Sequence, residues 1–376
     1  MARPLKTIAL EPIKQPERFT KEDFLSQEDI TQALDLALKQ VRLNMDYFKE
    51  DFPTPATKDN QYAIMDNTEW TNAFWTGCLW LAYEYSGDDA IKALAQANDL
   101  SFLDRVTRDI ELDHHDLGFL YTPSCMAEWK LLKTPESREA ALKAADKLVQ
   151  RYQDKGGFIQ AWGELGKKED YRYRDMAINH FYASANHVIR DDASAYHTFY
   201  FDPETGDPVK GVTRQGYSDD SAWARGQAWG IYGIPLTYRF LKEPELIQLF
   251  KGMTHYFLNR LPKDQVSYWD LIFGDGSEQS RDSSATAIAV CGIHEMLKTL
   301  PDHDPDKKTY EAAMHSMLRA LIKDYANKDL KPGAPLLLHG VYSWHSGKGV
   351  DEGNIWGDYY YLEALLRFYK DWNPYW

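Results

Sequence analysis

The chain has 376 residues, of which 44% are hydrophobic and 27% are charged. This composition is typical of a globular protein with one large core or two ordinary ones. The net charge of −14 at pH 7 excludes a general electrostatic attraction to nucleic acid or to an anionic membrane. We therefore expect no nucleic-acid partner and no membrane partner.

No apolar run is long enough to span a bilayer, and residues 1–19 lack the apolar stretch of a secretory signal. We therefore expect a cytoplasmic protein. The three cysteines, Cys78, Cys125 and Cys291, are far apart in the sequence. Their number and spacing support neither a disulfide framework nor a thiolate zinc site, and we expect no metal or other cofactor.

Hydrophobic residues recur at helical spacing along almost the whole chain. In chain order this periodicity predicts eleven helices, at residues 27–49, 70–86, 88–104, 116–132, 136–153, 175–189, 221–241, 244–260, 282–299, 306–326 and 356–370. The alternation typical of strands is limited to two short segments, residues 197–202 and 335–344. No shift in composition marks a domain boundary, so we expect a single domain over residues 1–376.

The predicted helices alternate between two kinds. One kind begins with polar and aromatic residues and contains glycine and other small residues, as in 221–241 and 282–299. The other kind is amphipathic and charged, as in 244–260. Short turns connect each helix of the first kind to one of the second, which makes a degenerate repeat of helical hairpins. The pattern predicts an all-α (α/α)6 toroid, with the first kind as inner ring and the second as outer ring.

A closed toroid of six hairpins needs twelve helices, one more than the sequence predicts. The absent helix is of the inner kind and would lie between residues 163 and 175. The outer helices that begin at 136 and 175 follow each other with less intervening sequence than other adjacent outer helices. The length of sequence that is missing there corresponds to one inner helix with its turn, which is roughly twenty residues at ~1.5 Å rise per residue. We therefore predict a toroid that lacks one inner helix.

The inner helices all begin in similar polar and aromatic loops. In a toroid such loops meet at one mouth, where they would line a pocket. The candidate lining comprises residues 66–70, 112–116, 161–163, 196–202, 214–229, 281–284 and 342–349. Functional side chains are therefore expected in these loops.

The segment LDHHD at residues 112–116 places two carboxylates around two imidazoles at a helix start. Three interpretations are open. Adjacent histidines on a helix point about 100° apart, which disfavours a shared metal ion. Asp113 or Asp116 could cap the helix while the histidines are hydrogen-bonded in the core. Alternatively, Asp116 projects into the mouth beside His115 and takes part in acid–base chemistry.

The segment SAWARGQAW contains two indoles around a guanidinium, Trp223, Arg225 and Trp229, and Gln215 lies just upstream. Arg225 and Trp229 are four residues apart and can share a helix face. Arginine and glutamine among indoles suit a ligand that is both a sugar ring and a carboxylate. The alternative is that Arg225 forms a structural ion pair.

The segment SWHSGKG at residues 343–349 offers two hydroxyls and one cation. Ser343, Ser346 and Lys348 could together hold a tetrahedral anion such as sulfate. The alternative is an ordinary solvated turn, which is the common role of such polar loops.

Together these motifs resemble those of the unsaturated glucuronyl hydrolases, glycoside hydrolase family 88. The resemblance covers nearly the whole chain and rests on segments that follow the family's order: DNTEWTNAFWTG, LDHHDLGFLY, GGFIQAWG, YHTFYFDPETG, WARGQAWGIYG, YWD, RDSSA and IWGDYYYLEALLR. It implies an (α/α)6 barrel, in agreement with the helical hairpins. It also implies the substrates, which are disaccharides left by polysaccharide lyases, with a C4=C5 double bond in the non-reducing uronic acid.

The implied reaction is the hydration of a vinyl ether. An acid protonates C4 while water adds at C5, and the resulting hemiketal opens to release a keto uronic acid and an amino sugar. This chemistry differs from displacement by two carboxylates at the anomeric carbon, and it needs no metal. The expected partners are small unsaturated disaccharides of the chondroitin or hyaluronan type.

By motif match, the resemblance assigns Asp116 to one of the family's two essential aspartates. The positions that match the family's sugar site are Trp70, His115, Trp162, His197, Gln215, Trp223, Arg225, Trp229 and Tyr342. Among these, Arg225 would face the uronate carboxylate. The positions that match the sulfate-binding set of members that prefer 6-sulfated products are Arg214, Ser343, Ser346 and Lys348.

One departure from the family falls in the predicted gap. The family's second essential aspartate, its proton donor, lies in an apolar run and is followed by Cys-Leu-Leu-Asn, between the AWG segment and the helix before YHTFYFD. This chain has no such run. Asp175 is near in sequence but belongs to the next, outer helix, and the resemblance assigns it no role. We therefore predict a chain of low activity and of lower stability than its full-length relatives.

Other functions fit parts of the same pattern. The chain could be a catalytically impaired, sugar-binding variant of the barrel, or an unsaturated rhamnogalacturonyl hydrolase, which shares the barrel and the chemistry but differs in pocket motifs. A lyase with an (α/α) barrel would create the double bond that the hydrolase consumes. An inverting glycosidase would pair Asp116 with a facing carboxylate, such as Asp219, Asp220 or Asp282.

Overall fold

The computed structural model describes residues 4–162 and 173–376. These residues contain twelve α-helices, which form two concentric rings. The helices are α1 Gln27–Phe48, α2 Asn72–Ser86, α3 Asp89–Thr107, α4 Leu117–Tyr121, α5 Ala127–Leu132, α6 Pro135–Val149, α7 Tyr173–His187, α8 Ala224–Leu241, α9 Pro244–Leu258, α10 Ser283–Leu297, α11 Lys307–Ala320 and α12 Ile355–Tyr369.

The strands of the described residues form short antiparallel hairpins in the loops between helices. They are β1 Phe52–Pro53 with β2 Ile64–Met65, β3 Tyr152–Gln153 with β4 Phe158–Ile159, β5 Thr198–Phe201 with β6 Pro208–Val212, and β7 Gly340–Ser343 with β8 Lys348–Glu352. Sheet structure is therefore local, and the helices alone build the core.

Each of the eleven predicted helices has a counterpart in the structure, with ends that differ by a few residues. The helix predicted at 116–132 consists of α4, a π-helical turn at Thr122–Met126 and α5. The turn contains Pro123, which has no backbone N–H, so the regular α-helical hydrogen-bond ladder is interrupted there. The predicted strand at 197–202 corresponds to β5, and 335–344 contains β7.

The inner ring consists of α2, α4–α5, α8, α10 and α12, and the outer ring of α1, α3, α6, α7, α9 and α11. Nearly every residue of α10 and α12 is buried, whereas α6 and α7 bury only part of their surface. Neighbouring inner helices pack on each other, α8 on α10, α10 on α12, and α12 on α2, which in turn packs on α4. This arrangement confirms the predicted all-α (α/α)6 toroid.

Counting α4–α5 as one, the described residues contain five inner and six outer helices. The inner position without a helix in this part of the chain lies between α4–α5 and α8, where the outer helices α6 and α7 follow each other. The predicted loss of one inner helix between 163 and 175 falls mostly on residues 163–172, which are outside the described residues.

Glycines allow the inner helices to approach closely. A Cβ atom on Gly292 of α10 would lie 2.4 Å from the carbonyl oxygen of Ile231 in α8, and one on Gly77 of α2 would lie 2.6 Å from the ring of Tyr359 in α12. Such distances exclude any side chain. A Cβ atom on Gly233 of α8, by contrast, would meet nothing within 4 Å. Helix α8 is therefore tightly packed toward α10 and open on another side.

The apolar core is divided near α7. The main core joins both rings and includes Ala185 in the C-terminal half of α7. Val149, Tyr152 and Met176 form a separate small cluster, against which Ile159 packs. This cluster holds the N-terminal half of α7 on the β3–β4 hairpin, so that half shares little apolar contact with the rest of the toroid.

Backbone contacts join the loops in front of the inner helices. Ala56, before α2, forms a β-bridge with Asn354, which is the N-cap residue of α12. Trp223, the N-cap residue of α8, forms a β-bridge with Asp270 in the segment that leads to α10. The N-terminal ends of these inner helices therefore meet at one mouth, where the candidate lining segments lie.

Within the described ranges, no helix combines the length and the apolar character needed to cross a membrane. The three cysteines are buried and free. The same ranges hold no cluster of three or more histidine, cysteine, aspartate or glutamate side chains arranged to bind a metal ion.

The two glycine environments predict opposite effects of the same substitution. Gly292→Ala should lower the free energy of unfolding by about 1–3 kcal/mol, because the new methyl group overlaps the backbone of α8. Gly233→Ala should raise it by about 0.5–1 kcal/mol, because the methyl group meets open space and alanine favours the helix. Urea unfolding of both variants measures the difference, and changes of the same sign would contradict the packing described.

Candidate active site

The N-terminal end of α4 carries the LDHHD segment. Asp116 occupies the N-cap position, but its carboxylate forms no capping hydrogen bond. One carboxylate oxygen lies 3.4 Å from Nε2 of His115, and the backbone N–H of Asp116 donates to Nδ1 of His114 at 3.1 Å. Because the carboxylate is partly exposed and is not used for capping, it is available to a ligand in the mouth.

The other two polar residues of this segment hold the helix start in place. Nε2 of His114 donates to the carbonyl oxygen of Glu111 at 3.1 Å, and its Nδ1 is an acceptor, so the ring is a neutral imidazole. Burial lowers the pKa of His114, and the charge of Asp116 opposes this effect. The carboxylate of Asp113 accepts a hydrogen bond from the buried guanidinium of Arg151. These contacts hold in place the helix start that carries Asp116.

His115 connects Asp116 to the segment after β4. Its ring meets that of Trp162 edge to face, with 5.1 Å between ring centroids, and Trp162 is 49% exposed. The guanidinium carbon of Arg214 lies 5.3 Å from the ring centroid of Trp162. Among the described residues, the buried Nδ1 of His115 has no hydrogen-bond partner. An unpaired imidazole nitrogen beside an exposed indole is suited to a sugar hydroxyl or carboxylate.

His197 lies between the two halves of the mouth. Its ring meets that of Trp223 edge to face at 5.0 Å. Burial lowers its pKa to about 4, with further contributions from the positive charges of Arg225, Arg214 and His115. His197 is therefore neutral near pH 7. Its charged neighbours include His115 on the α4 side of the mouth and Arg225 on the α8 side.

Arg225 does not face the open mouth. It is 3% exposed, and its guanidinium donates to the carboxylate of Asp282, to the carbonyl oxygen of Val341 at 2.6 Å and to that of Tyr342 at 2.9 Å. The guanidinium carbon also lies 4.5 Å from the ring centroid of Trp223. These bonds use three of the five N–H groups of the guanidinium, so Arg225 forms the buried ion pair that the alternative interpretation expected, and a contact with the uronate carboxylate stays a prediction.

Trp70 and Tyr342 form the wall between α2 and the β7–β8 hairpin. The indole N–H of Trp70 donates to the hydroxyl of Tyr342 at 3.1 Å, and the Trp70 ring stacks on Trp356 with 5.6 Å between centroids. Burial raises the pKa of Tyr342, and the negative charge of Asp116 adds to the rise. Trp70 also lies 5.9 Å from the ring of Phe119, which follows Asp116 by three residues, so the Tyr342 wall borders the helix that carries Asp116.

Phe119 forms the floor below Asp116. Its ring lies 5.9 Å from that of Trp70 and 5.2 Å from that of Trp229 on α8. Phe119 follows Asp116 by three residues and therefore shares its side of α4. The half-buried Trp229 is thus at the bottom of the mouth and contacts the helix that carries Asp116.

The candidate sulfate set lies on two neighbouring loops. Ser343 and Lys348 face each other across the β7–β8 hairpin, and Ser346 lies in the exposed turn between them. The ammonium of Lys348 is 4.6 Å from the ring centroid of Tyr342. These three groups therefore border the Tyr342 wall of the mouth.

Arg214 approaches the same region from the loop after β6. His345, in the hairpin turn, donates from Nε2 to the carbonyl oxygen of Gly216 at 2.6 Å, which ties the two loops together. Arg214 itself is exposed, and Gln215 beside it is half-buried, with a buried Oε1 that has no partner among the described residues. Both residues therefore keep polar groups available to a ligand.

The sequence did not indicate every residue of the mouth. His180 on α7 accepts a hydrogen bond at Nδ1 from the backbone N–H of Ile159 at 3.1 Å, and burial together with the nearby His115 lowers its pKa to about 4. Its position in an outer helix gave no signal for a site. Trp356 and Phe119 were visible only as helix residues, since their role depends on which rings the toroid stacks against them.

Asp175 lies exposed in the first turn of α7. The described residues give it no hydrogen bond or ion pair to a residue of the mouth. Its position is that of an ordinary acidic residue near a helix N-terminus.

The model of the Glycosyl Hydrolase Family 88 matches residues 44–361 of the chain. The chain belongs to this family. An unsaturated chondroitin disaccharide hydrolase of Streptococcus pyogenes serotype M1 is 94% identical over 399 aligned positions, with 100% of both chains covered. A protein of the same name from Streptococcus pneumoniae is 69% identical, with 99% of this chain and 100% of that protein covered. The family predicted from the motifs is thereby confirmed.

Solved structures of family members share the fold. The unsaturated glucuronyl hydrolase of Streptococcus agalactiae has a TM-score of 0.97 at 64% identity, with 100% of both chains covered. That of Bacillus sp. GL1 has a TM-score of 0.87 at 40% identity, with 91% of this chain and 97% of that chain covered. A mutant of the S. agalactiae enzyme, with asparagine in place of an aspartate, was solved in complex with dGlcA-GalNAc6S.

The alignment with the S. pyogenes relative bears on the missing helix. It has 399 positions and covers all of both chains, whereas this chain has 376 residues. At least 23 positions of the relative therefore have no counterpart here. This number agrees with the loss of roughly twenty residues, one helix and its turn, that the helix spacing predicts.

The ion pair of Arg225 predicts a structural effect of its removal. Arg225→Met should lower the free energy of unfolding by about 3–5 kcal/mol, because Asp282 is fully buried and would lose its counter-charge. Arg214→Met, at an exposed site, should change it by less than about 0.5 kcal/mol. Denaturant unfolding compares the two variants. If Arg225→Met were as stable as the parent, the ion pair would not stabilise the fold, and Arg225 would be assigned to ligand binding instead.

Proposed function

We propose that this chain binds unsaturated glycosaminoglycan disaccharides of the chondroitin type at the mouth of the toroid and hydrates their C4=C5 double bond, slowly. The proposal is supported by the contacts of Asp116 with His115 and of His115 with Trp162, and by the rings that lead from Phe119 through Trp70 to Tyr342. His197, which lies against Trp223, is assigned to the same mouth. Membership of family 88 and the names of the relatives support the substrate class.

In this proposal the aromatic groups hold the sugar and the polar groups orient it. The exposed indole of Trp162 stacks on a sugar face. His115, through its unpaired nitrogen, and Gln215 donate or accept hydrogen bonds with the uronate. Asp116 faces the ring at C4 and C5. Arg225, buried behind Trp223, contributes positive potential.

The reaction adds one water across the double bond. A proton goes to C4 and the hydroxyl to C5, and the hemiketal at C5 then opens with release of the amino sugar. We assign one of these proton transfers to Asp116, whose carboxylate is partly exposed and forms no capping hydrogen bond. The family's second aspartate lies in the run that this chain lacks. One of the two proton-transfer groups is therefore absent, and turnover is slow.

Turnover can be compared directly with the S. pyogenes relative. Incubated with an unsaturated chondroitin disaccharide, this chain should consume the double bond ~10²–10⁴ times more slowly, the usual cost of losing a general acid. Loss of the absorbance of the double bond measures the rate. Asp116→Asn should abolish the remaining turnover, whereas Asp175→Asn should leave it unchanged. A rate equal to that of the relative would contradict the proposal, as would an active Asp116→Asn variant.

The second function is binding of the disaccharide without turnover. It is supported by the positions of the S. pyogenes relative, at least 23 in number, that have no counterpart in this chain. Binding and hydration are separable because the binding groups lie on loops that this chain retains. Titration of tryptophan fluorescence with the disaccharide measures binding independently of turnover. Binding with no detectable loss of the double bond would favour this second function.

The position of the candidate sulfate set predicts a selective effect. Lys348→Gln should weaken binding of a 6-sulfated disaccharide by about 10- to 100-fold, since a hydrogen bond to a charged group contributes about 1.5–3 kcal/mol. The unsulfated disaccharide should bind the variant and the parent alike. Lys331→Gln, at another exposed lysine, serves as matched control. Equal weakening for both disaccharides would exclude a sulfate contact by Lys348.

A further inference from the structure

Four aromatic side chains form a group beside the mouth that none of the contacts described above uses. They are Tyr217 in the loop after β6, Trp269 and Phe273 in the segment that leads to α10, and Trp344 in the turn of the β7–β8 hairpin. Trp344 stacks on Trp269 with 4.9 Å between ring centroids, and Phe273 lies 5.2 Å from Tyr217 and 5.7 Å from Trp269. We call these four connected rings the outer aromatic cluster.

The cluster has a buried base and an accessible surface. Trp269 is fully buried, whereas Tyr217 is 52% exposed and Trp344 and Phe273 are half-buried. One face of Trp344 lies on Trp269, and its indole N–H, which is not among the buried polar groups, has no hydrogen-bond partner in the described part of the chain. A ring surface with an unpaired donor at its edge suits a sugar, which offers an apolar face and hydroxyl groups.

Hydrogen bonds within the chain hold the loops of the cluster in place. The buried carboxylate of Asp270 accepts from the backbone N–H of Tyr217 at 2.8 Å and from the hydroxyl of Ser221 at 2.7 Å. The indole N–H of Trp269 donates to Oε1 of Gln279 at 3.0 Å. Because these contacts already order the rings, little conformational freedom is lost when a ligand binds to them.

The cluster continues the mouth on its outer side. Tyr217 follows Gln215 by two residues, and Trp344 follows Ser343 directly, so both rings lie next to residues of the candidate lining. The bond from His345 to the carbonyl oxygen of residue 216 joins the same two loops. A ligand that extends from the mouth across the hairpin turn therefore meets the rings of the cluster.

The outer aromatic cluster is built from described residues alone. Trp162 and Tyr173 stand on either side of residues 163–172 in the sequence. Trp162 has ring contacts with His115 and Arg214, and the hydroxyl of Tyr173 donates to Asp146. Among the described residues, neither forms a ring contact, hydrogen bond or ion pair with a member of the cluster. The contacts that hold the cluster together are therefore independent of residues 163–172.

A longer oligosaccharide is the occupant that fits both the mouth and the cluster. In the proposed binding mode the unsaturated uronate lies beside Asp116, and a sulfate of the second sugar lies at Lys348. The next sugars of a longer product then extend past the hairpin turn, toward Trp344 and Tyr217. The cations Arg214 and Lys348 border this path and favour an anionic glycan over an apolar peptide.

We propose that the outer aromatic cluster binds the third and fourth sugars of unsaturated glycosaminoglycan oligosaccharides whose non-reducing end occupies the mouth. Trp344 and Tyr217 contact the sugar faces, and the buried Trp269 supports Trp344. The inference rests on the proposed function, because that function places the unsaturated sugar in the mouth. It extends the preferred ligand from a disaccharide to a tetrasaccharide.

Titration calorimetry of the whole chain compares an unsaturated chondroitin disaccharide with the unsaturated tetrasaccharide of the same sulfation. The tetrasaccharide should bind about tenfold more tightly, because it adds two ring contacts. Both ligands carry one unsaturated end, so the mouth contributes equally to both affinities. Equal affinities would overturn the inference and leave the proposed function in place.

Two variants locate the added contacts. Tyr217→Ala and Trp344→Ala should each weaken binding of the tetrasaccharide by about three- to tenfold and leave that of the disaccharide unchanged. Trp344→Phe keeps a ring and should restore part of the loss. Phe240→Ala, which removes a 74% exposed ring near the C-terminal end of α8, serves as matched control and should bind both ligands like the parent.

Tyr217→Ala is the decisive variant. Its ring is half-exposed, so its removal should leave the fold intact, which urea unfolding checks. Equal weakening of both ligands by this variant, or unchanged binding of the tetrasaccharide, would contradict the inference.

The inference and the proposed function fail in different ways. If neither ligand bound to the parent, both would be wrong. If the tetrasaccharide bound more tightly than the disaccharide but its double bond were not consumed, the cluster would keep its role and only turnover would be disproved.

A second copy of the chain is the competing occupant of the exposed rings. If light scattering showed a dimer for the parent and a monomer for Tyr217→Ala, the cluster would be an interface between copies and the inference would be wrong. We expect the same mass in solution for both proteins.

Discussion

The geometry of the mouth depends on the buried guanidinium of Arg225. It joins the start of α8 to Asp282, the N-cap residue of α10, and to the carbonyl oxygens of Val341 and Tyr342 in the hairpin before α12. A buried charge that loses its partner is costly. The guanidinium therefore ties the three loops to one another, and with them the walls that Tyr342 and Trp223 contribute to the site.

The side of the mouth that carries Asp116 is built differently. Helix α4 meets α2 and α8 through aromatic rings, Phe119 on Trp70 and Trp229, and the segment before it is held by the ion pair of Asp113 with Arg151. Among the described residues, the inner position beside this helix holds no helix. The side of the mouth that carries Asp116 therefore has less support from the described inner helices than the side built around Arg225.

Much of this architecture was readable from the sequence. The positions of the helices and the alternation of inner and outer helices follow from periodicity and spacing, which are local properties of the chain. The predicted absence of one inner helix falls mostly outside the described residues. The LDHHD segment also indicated Asp116, since one capping residue would have sufficed there. The structure adds that Asp116 forms no capping bond, and that Asp113 and His114 orient the helix start.

The partners of individual side chains could not be read in this way. A helix pattern predicts which face of α8 is buried, but the pairing of Arg225 with Asp282 spans 57 residues and arises only when the ring brings two helix starts together. The same holds for Trp70 and Tyr342, 272 residues apart, and for the open space at Gly233. By itself, the sequence determined the family and the fold, because these depend on local order along the chain. Only the tertiary structure decided which charged side chains are held in ion pairs and which remain accessible to a ligand, because that depends on the packing of distant segments.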